Sequence, residues 1–329
     1  MKRRDLLGTI VALIVPASAG CSGNGNGSTP EPTPTATPSP SPTPTPTTPN
    51  QQAVEAYESA ITTLSENKET LDEWAGSSFE ADRVGALQDR VSSAREDLDA
   101  AAEAADQSGD LIVQINQAKL VANFQELSLA YYEAVNVFFQ VISEASELGD
   151  NELHQRAADT YAEATGVLDD ARQVIDDMGT ILDEIDNAAL DEPDLEYSGE
   201  PLDHLDLADT GAIDAAESYA IGYENIHLAF VQLEKGQEHY EAEEFTEARE
   251  AWEAGRQRAT DSQGSFEAVV DNDFTPENFR QDSIERLADV ETILDAYDKF
   301  IDGATEAEAG NLETANSLIG EGFNILGQL

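Results

Sequence analysis

From residue 51 onward, apolar side chains recur at steps of three and four, the period that collects them on one face of a helix. One such stripe is Leu120, Phe124, Leu127, Tyr131, Ala134, Phe138, Ile142 and Ala145. Punctuation is regular. Gly76 precedes the capping box Ser77-x-x-Glu80, and Gly109-Asp110, Gly149-Asp150, Thr275-Pro276 and Gly310-Asn311 each pair a helix stop with an N-cap. The pattern predicts helices over 51–75, 78–107, 110–148, 150–188, 206–241, 244–272, 276–309 and 311–327, and no strand. Residues 129–142 and 219–233 are apolar nearly all round, which predicts two central helices. Glu133, Asn136, Glu224 and Asn225 interrupt those runs and argue against membrane spans. The expectation is an all-α fold of about eight antiparallel helices, arranged as helical hairpins in a bundle or short solenoid. Two pseudo-equivalent halves, 51–190 and 206–329, flank an acidic linker at 191–205.

One spacing recurs inside the helical body. Gly236, Phe245, Ala248, Trp252 and Gly255 are separated by nine, three, four and three positions. Gly303, Leu312, Ala315, Ile319 and Gly322 keep that spacing, as do Ala145, His154, Ala157, Tyr161 and Ala164. The pattern resembles the tetratricopeptide repeat. There, a small residue lets two antiparallel helices approach, a hydrophobe plugs the turn, and alanine opposes an aromatic. The alanine-to-alanine steps of 91 and 67 do not tile at a constant period, so ordinary hairpin packing explains the pattern as well. Under either reading, residues 236–255 form a hairpin with its crossing at Gly236, Phe245, Ala248, Trp252 and Gly255.

Charge then changes the picture. The chain carries 67 acidic and 17 basic side chains, a formal net charge of −50. From residue 51 onward the lysines are only Lys68, Lys119, Lys235 and Lys299. Such a surface repels nucleic acid and anionic lipid, which need a basic footprint. In dilute buffer that self-repulsion opposes compaction; at molar salt the Debye length falls to about 3 Å and screens it. In this composition the chain resembles haloarchaeal proteins. The competing explanation, an acidic calcium buffer, lacks an EF-hand loop spacing.

The first fifty residues carry an address. Residues 1–20 combine a basic start, an apolar run over 6–15 and small residues before a cleavage point, the three parts of an export signal. Arg3-Arg4-Asp5-Leu6-Leu7 resembles a twin-arginine signal, the route for folded proteins. Ser18-Ala19-Gly20-Cys21 resembles a lipobox, which implies that Cys21, the single cysteine, is lipidated. Ala17-Ser18-Ala19 also fits an ordinary signal peptidase, which would release the chain. Residues 22–50 hold nine of the 13 prolines among Thr and Ser, the composition of an extended stalk over 21–50. Asn26-Gly27-Ser28 within it is an N-glycosylation sequon.

Candidate chemistry is sparse. His239 and Glu243, four residues apart, form a two-ligand metal face on paper, but carboxylates are so frequent that chance supplies most such pairs. His227 lies on an apolar helix and reads as a core histidine; His154 takes the turn-plug position, and His204 falls in the linker. Trp74 and Trp252 could line a sugar site, although their helical spacing favours core packing. No phosphate loop, HExxH or GxSxG motif is present, and no cofactor is expected. These features together predict a non-catalytic, lipid-anchored interaction or scaffold protein on the outer face of the cell membrane. Its partner would be an unidentified envelope protein, and its membrane contact the lipid alone. A solute- or cation-binding lipoprotein working with a membrane partner is the alternative.

Overall fold

The computed structural model describes residues 49–76, 83–105, 109–197 and 199–329. Arg3, Arg4, Cys21, Asn26 and the Ser77-x-x-Glu80 box lie outside the described residues, as do the side chains of Trp74 and His204. The described chain is helical and contains no strand. Its elements are α1 (Pro49–Gly76), α2 (Val84–Ala104), α3 (Asp110–Asp150), α4 (His154–Glu184) and a single turn, α5 (Asn187–Leu190). A 3₁₀ turn (Pro193–Leu195) leads to α6 (Gly199–Glu241), α7 (Phe245–Asp271), α8 (Glu277–Glu308) and α9 (Leu312–Leu326).

Each long helix packs chiefly on its neighbours in the chain, and α1 also touches α3 as α6 touches α8. Cross-helix bonds show α6 and α7 to be antiparallel, because one partner's number rises as the other's falls. Between α6 and α7, the Trp252 indole donates to Leu233 O at 3.3 Å, Ser262 to Gly222 O at 2.8 Å and Asn272 to Gly211 O at 2.9 Å. Arg90–Glu66 joins α2 to α1, and Lys119–Asp99 joins α3 to α2. Arg172 reaches Asp214 and Glu217 from α4, and Arg256–Asp298 joins α7 to α8.

The apolar faces gather into two cores. Residues of α1, α2 and the first half of α3 form one, and the rest of α3 with α4 and α6–α9 forms the other. The cores meet along α3, where Tyr132 borders both. The seam therefore runs through α3, whereas the composition shift had suggested a division at 191–205. The supposed linker is largely structured. Leu190 and Leu195 are buried in the first core, and Asn187 grips Tyr197 through both its backbone N–H and C=O. Tyr197 packs edge-on against Phe124 at 4.8 Å and accepts a bond from Gln125. Residues 199–205 belong to α6 despite Pro201, because the N–H groups of a first helical turn have no partner within the helix.

The other departure is at Gly149-Asp150. Helix α3 runs on to Asp150, and α4 starts only at His154. Gly149 is a helical residue packed against the His227 ring, and the left-handed residue that ends α3 is Glu152, at φ 60°. Among the described residues, no helix is long and apolar enough to cross a membrane.

Candidate functional site

The three copies of the sequence pattern fold into three hairpins, α3/α4, α6/α7 and α8/α9, with one turn geometry. Glu152, Glu243 and Gly310, each two positions before the next helix, take positive φ values of 60°, 63° and 84°. The following amides of Leu153, Glu244 and Asn311 donate back five residues, to Leu148, His239 and Glu306, at 3.0, 2.9 and 2.8 Å. Amides of Glu152, Glu243 and Gly310 donate back three, to Gly149, Tyr240 and Ala307. This is the Schellman arrangement, which satisfies the last carbonyls of the first helix. Ala157, Ala248 and Ala315 then sit fully buried at the crossings.

Small faces large across these crossings. A Cβ on Gly236 would lie 2.2 Å from Trp252 Nε1, and one on Gly303 would lie 2.7 Å from Ile319 Cδ1. Trp252 is fully buried with its N–H bonded, and stacks obliquely between Tyr240 and Phe300. Phe245 leans on Tyr240 at 5.3 Å, as a turn plug should. Gly255 departs from expectation. It faces Tyr297 of α8 and so serves the next interface rather than its own hairpin crossing. Tyr297 in turn donates its hydroxyl to Ala229 O of α6 at 2.5 Å, tying α8 to α6 behind α7.

The candidate metal pair does not form as spaced. Glu243 is the left-handed turn residue, and His239 Nδ1 instead meets Glu244 Oε2 at 2.7 Å on the exposed rim. Among the described residues, no three His, Cys, Asp or Glu side chains converge as metal ligands. That pair therefore ties the turn to the end of α6.

A polar cluster that sequence reasoning missed lies where α4, α6 and α8 meet. Asp282 is the one carboxylate buried among the described residues, 6% exposed in a chain of 67 acids. Its Oδ2 accepts the hydroxyls of Tyr219 at 2.9 Å and Tyr223 at 2.5 Å, and Arg286 lies 3.7 Å from its Oδ1. Burial and the Asp282 charge push both tyrosines well above their ordinary range, so the hydroxyls stay protonated as donors. Tyr161 of α4 stacks on Tyr223 at 5.2 Å and on His227 at 5.6 Å. His227 meets His154 across the α4–α6 seam, their Nδ1 atoms 3.2 Å apart. Tyr219 also stacks on Phe279 at 4.5 Å, and Phe279 touches Phe139 of α3. This wall of rings thus runs from α3 to α8 across α6, with one neutralised carboxylate at its centre.

Nothing in the spacing of the acids singled out Asp282, because its partners are 59 and 63 residues away. The usable signal was the tyrosine pair Tyr219 and Tyr223, one turn apart on a helix otherwise apolar all round. A buried hydroxyl needs a partner. Compared with protein-family models, with curated proteins and with solved structures, the chain matches none of them.

Proposed function

We propose that this chain is a non-catalytic interaction protein of the cell envelope, exported and held at the outer membrane face by lipid on Cys21. The observation that carries the proposal is the serial stacking of three hairpins with one turn geometry. Helical arrays built this way offer long faces that grip extended segments or partner helices. Side chains suited to such contacts are exposed on several elements: Phe139 on α3, Ile284 on α8 and Phe323 on α9. Export and anchoring rest on Arg3-Arg4 and on Cys21 ahead of the Pro/Thr-rich stalk. The large negative charge fits a saline exterior, where screening lets acidic surfaces approach a partner.

The test is purification of the full-length chain from detergent-solubilised membranes in molar KCl. Wild type should retain a stoichiometric protein partner. Phe139→Ser should lose it while the chain stays folded, its unfolding midpoint lowered only by the lost ring contact with Phe279. A chain that elutes alone, or a partner indifferent to Phe139→Ser, would reject the reading. In that event the solute-binding alternative takes its place.

A further inference from the structure

The α3/α4 turn differs from its two counterparts in the side chain that opens the second helix. Phe245 and Leu312 stand there in α7 and α9, whereas α4 opens with His154. His154 Nδ1 lies 3.2 Å from His227 Nδ1, so the facing nitrogens share one hydrogen, one ring donating and the other accepting. Both rings are clamped. His154 stacks on Phe230 at 4.8 Å and His227 on Tyr161 at 5.6 Å. Behind His227, a Cβ on Gly149 would come within 2.5 Å of Cε1, which shows how closely the α3 backbone backs the ring.

Protons act on this pair in two stages. The first can go to Nε2 of His154, the more exposed residue of the pair, and leaves the hydrogen bond intact. A second, on His227, sets two N–H donors against each other, and the bond is lost. The charged and titratable groups around the pair favour that order. Glu152 in the turn and Glu234 on α6 hold the His154 side negative. His227 stacks on Tyr161 of α4, which stacks in turn on Tyr223 of α6. Beyond Tyr161 lie Asp150 at the end of α3 and the Asp282–Arg286 pair of α8.

We propose that the His154–His227 bond is a proton-operated latch that closes the α3/α4 turn on α6 and opens when both rings are protonated. Opening would free the start of α4 from α6 while the α6–α9 hairpins stay packed, making this part of the array acid-sensitive. Burial supports the direction: it pushes His227 down to about 4, helped by its neighbour His154, and lowers His154 as well. The latch is therefore shut at neutral pH.

Hydrogen exchange of the full-length chain in molar KCl, corrected for intrinsic rates and stepped from pH 7 to pH 4, tests this. Protection over 149–158 and 224–231 should fall by about tenfold or more, while the α8/α9 turn at 307–315, which has no histidine, keeps its protection. The His154→Phe/His227→Phe double variant, which leaves neither ring to protonate, should remove the acid response. If that variant does not fold, the imidazole resonances of the wild-type chain decide. One ring should titrate well below the other, in step with the loss of protection. Unchanged protection down to pH 4 overturns the latch. So does an equal loss at 307–315, an acid response that survives the double variant, or two rings that titrate together.

Discussion

At the scale of single residues, the fold depends on small side chains placed opposite large ones. Trp252 fills the space that Gly236 leaves open, and its indole N–H is bonded to Leu233 O. Trp252→Ala should therefore leave a cavity costing about 3–5 kcal/mol. Ala248→Leu should overpack the crossing by about 1–3 kcal/mol. His239→Ala removes only an exposed pair with Glu244 and should stay within roughly 0.5 kcal/mol. Thermal unfolding of the three variants in molar salt checks the order; a His239→Ala loss larger than that of Trp252→Ala would overturn it. These crossing residues could be read from the sequence because size complementarity within one hairpin is a short-range pattern. Asp282 could not. Its worth lies in partners on another helix, and one acid among 67 carries no local mark.

The buried histidine adds a pH dependence with a definite sign. His227 is held at about 4 in the folded chain, below the roughly 6.5 of an unfolded histidine. The unfolded state then binds more protons in between. Its contribution is fully present above about 6.5, is lost as pH falls towards 4, and changes little below that. Wild type compared with a His154→Phe/His227→Phe double variant isolates this term from the many carboxylates. The difference in stability should shrink by something on the order of 3 kcal/mol across that window. A difference independent of pH would mean that His227 is not buried neutral.

At the scale of elements, the three long hairpins share one turn geometry. The left-handed position is Gly310 in one hairpin and glutamate in the other two. A non-glycine residue costs about 1–2 kcal/mol there, partly offset by the unfolded-state entropy that glycine restores. Glu243→Gly should therefore stabilise by roughly 0.5–1 kcal/mol, and Gly310→Ala should destabilise by a similar amount. Chemical denaturation midpoints measure both; a loss of stability in Glu243→Gly would contradict the assigned geometry. Helix number and most boundaries were legible, since a 3.6-residue apolar stripe over long segments has one structural solution. The errors fell where a turn residue was inferred from type alone. Gly149 looked like a helix stop, but it lies inside α3 because His227 needs the room. Residues 199–205 looked like linker because their composition is acidic and contains Pro201, yet a first turn tolerates both.

At the scale of the whole molecule, charge sets the conditions under which the array holds. Arginines and lysines bridge adjacent helices, as in Arg90–Glu66, Lys119–Asp99 and Arg256–Asp298. These pairs are partly exposed and each contributes at most about 1 kcal/mol, too little to offset the repulsion of a net −50 surface. The unfolding midpoint should rise steeply between dilute buffer and molar KCl. A flat midpoint would instead revive a calcium-buffer role. Anchoring belongs to the same scale. On the proposed reading, Cys21→Ser should move the chain from the membrane fraction to the medium, and Arg3→Lys with Arg4→Lys should block export, because a twin-arginine signal is read by its guanidinium pair rather than by charge alone. Release of the wild-type chain without detergent would contradict the anchor.

The central claim is that the helical array meets a protein partner outside the cell, and site-specific photo-crosslinking on intact cells at growth salt addresses it most directly. A photoreactive side chain at Phe139, beside the ring wall that joins α3 to α8, should give one discrete adduct. The same probe at Glu163, on the exposed face of α4, should give none. No adduct from position 139, or identical adducts from both positions, would contradict the account.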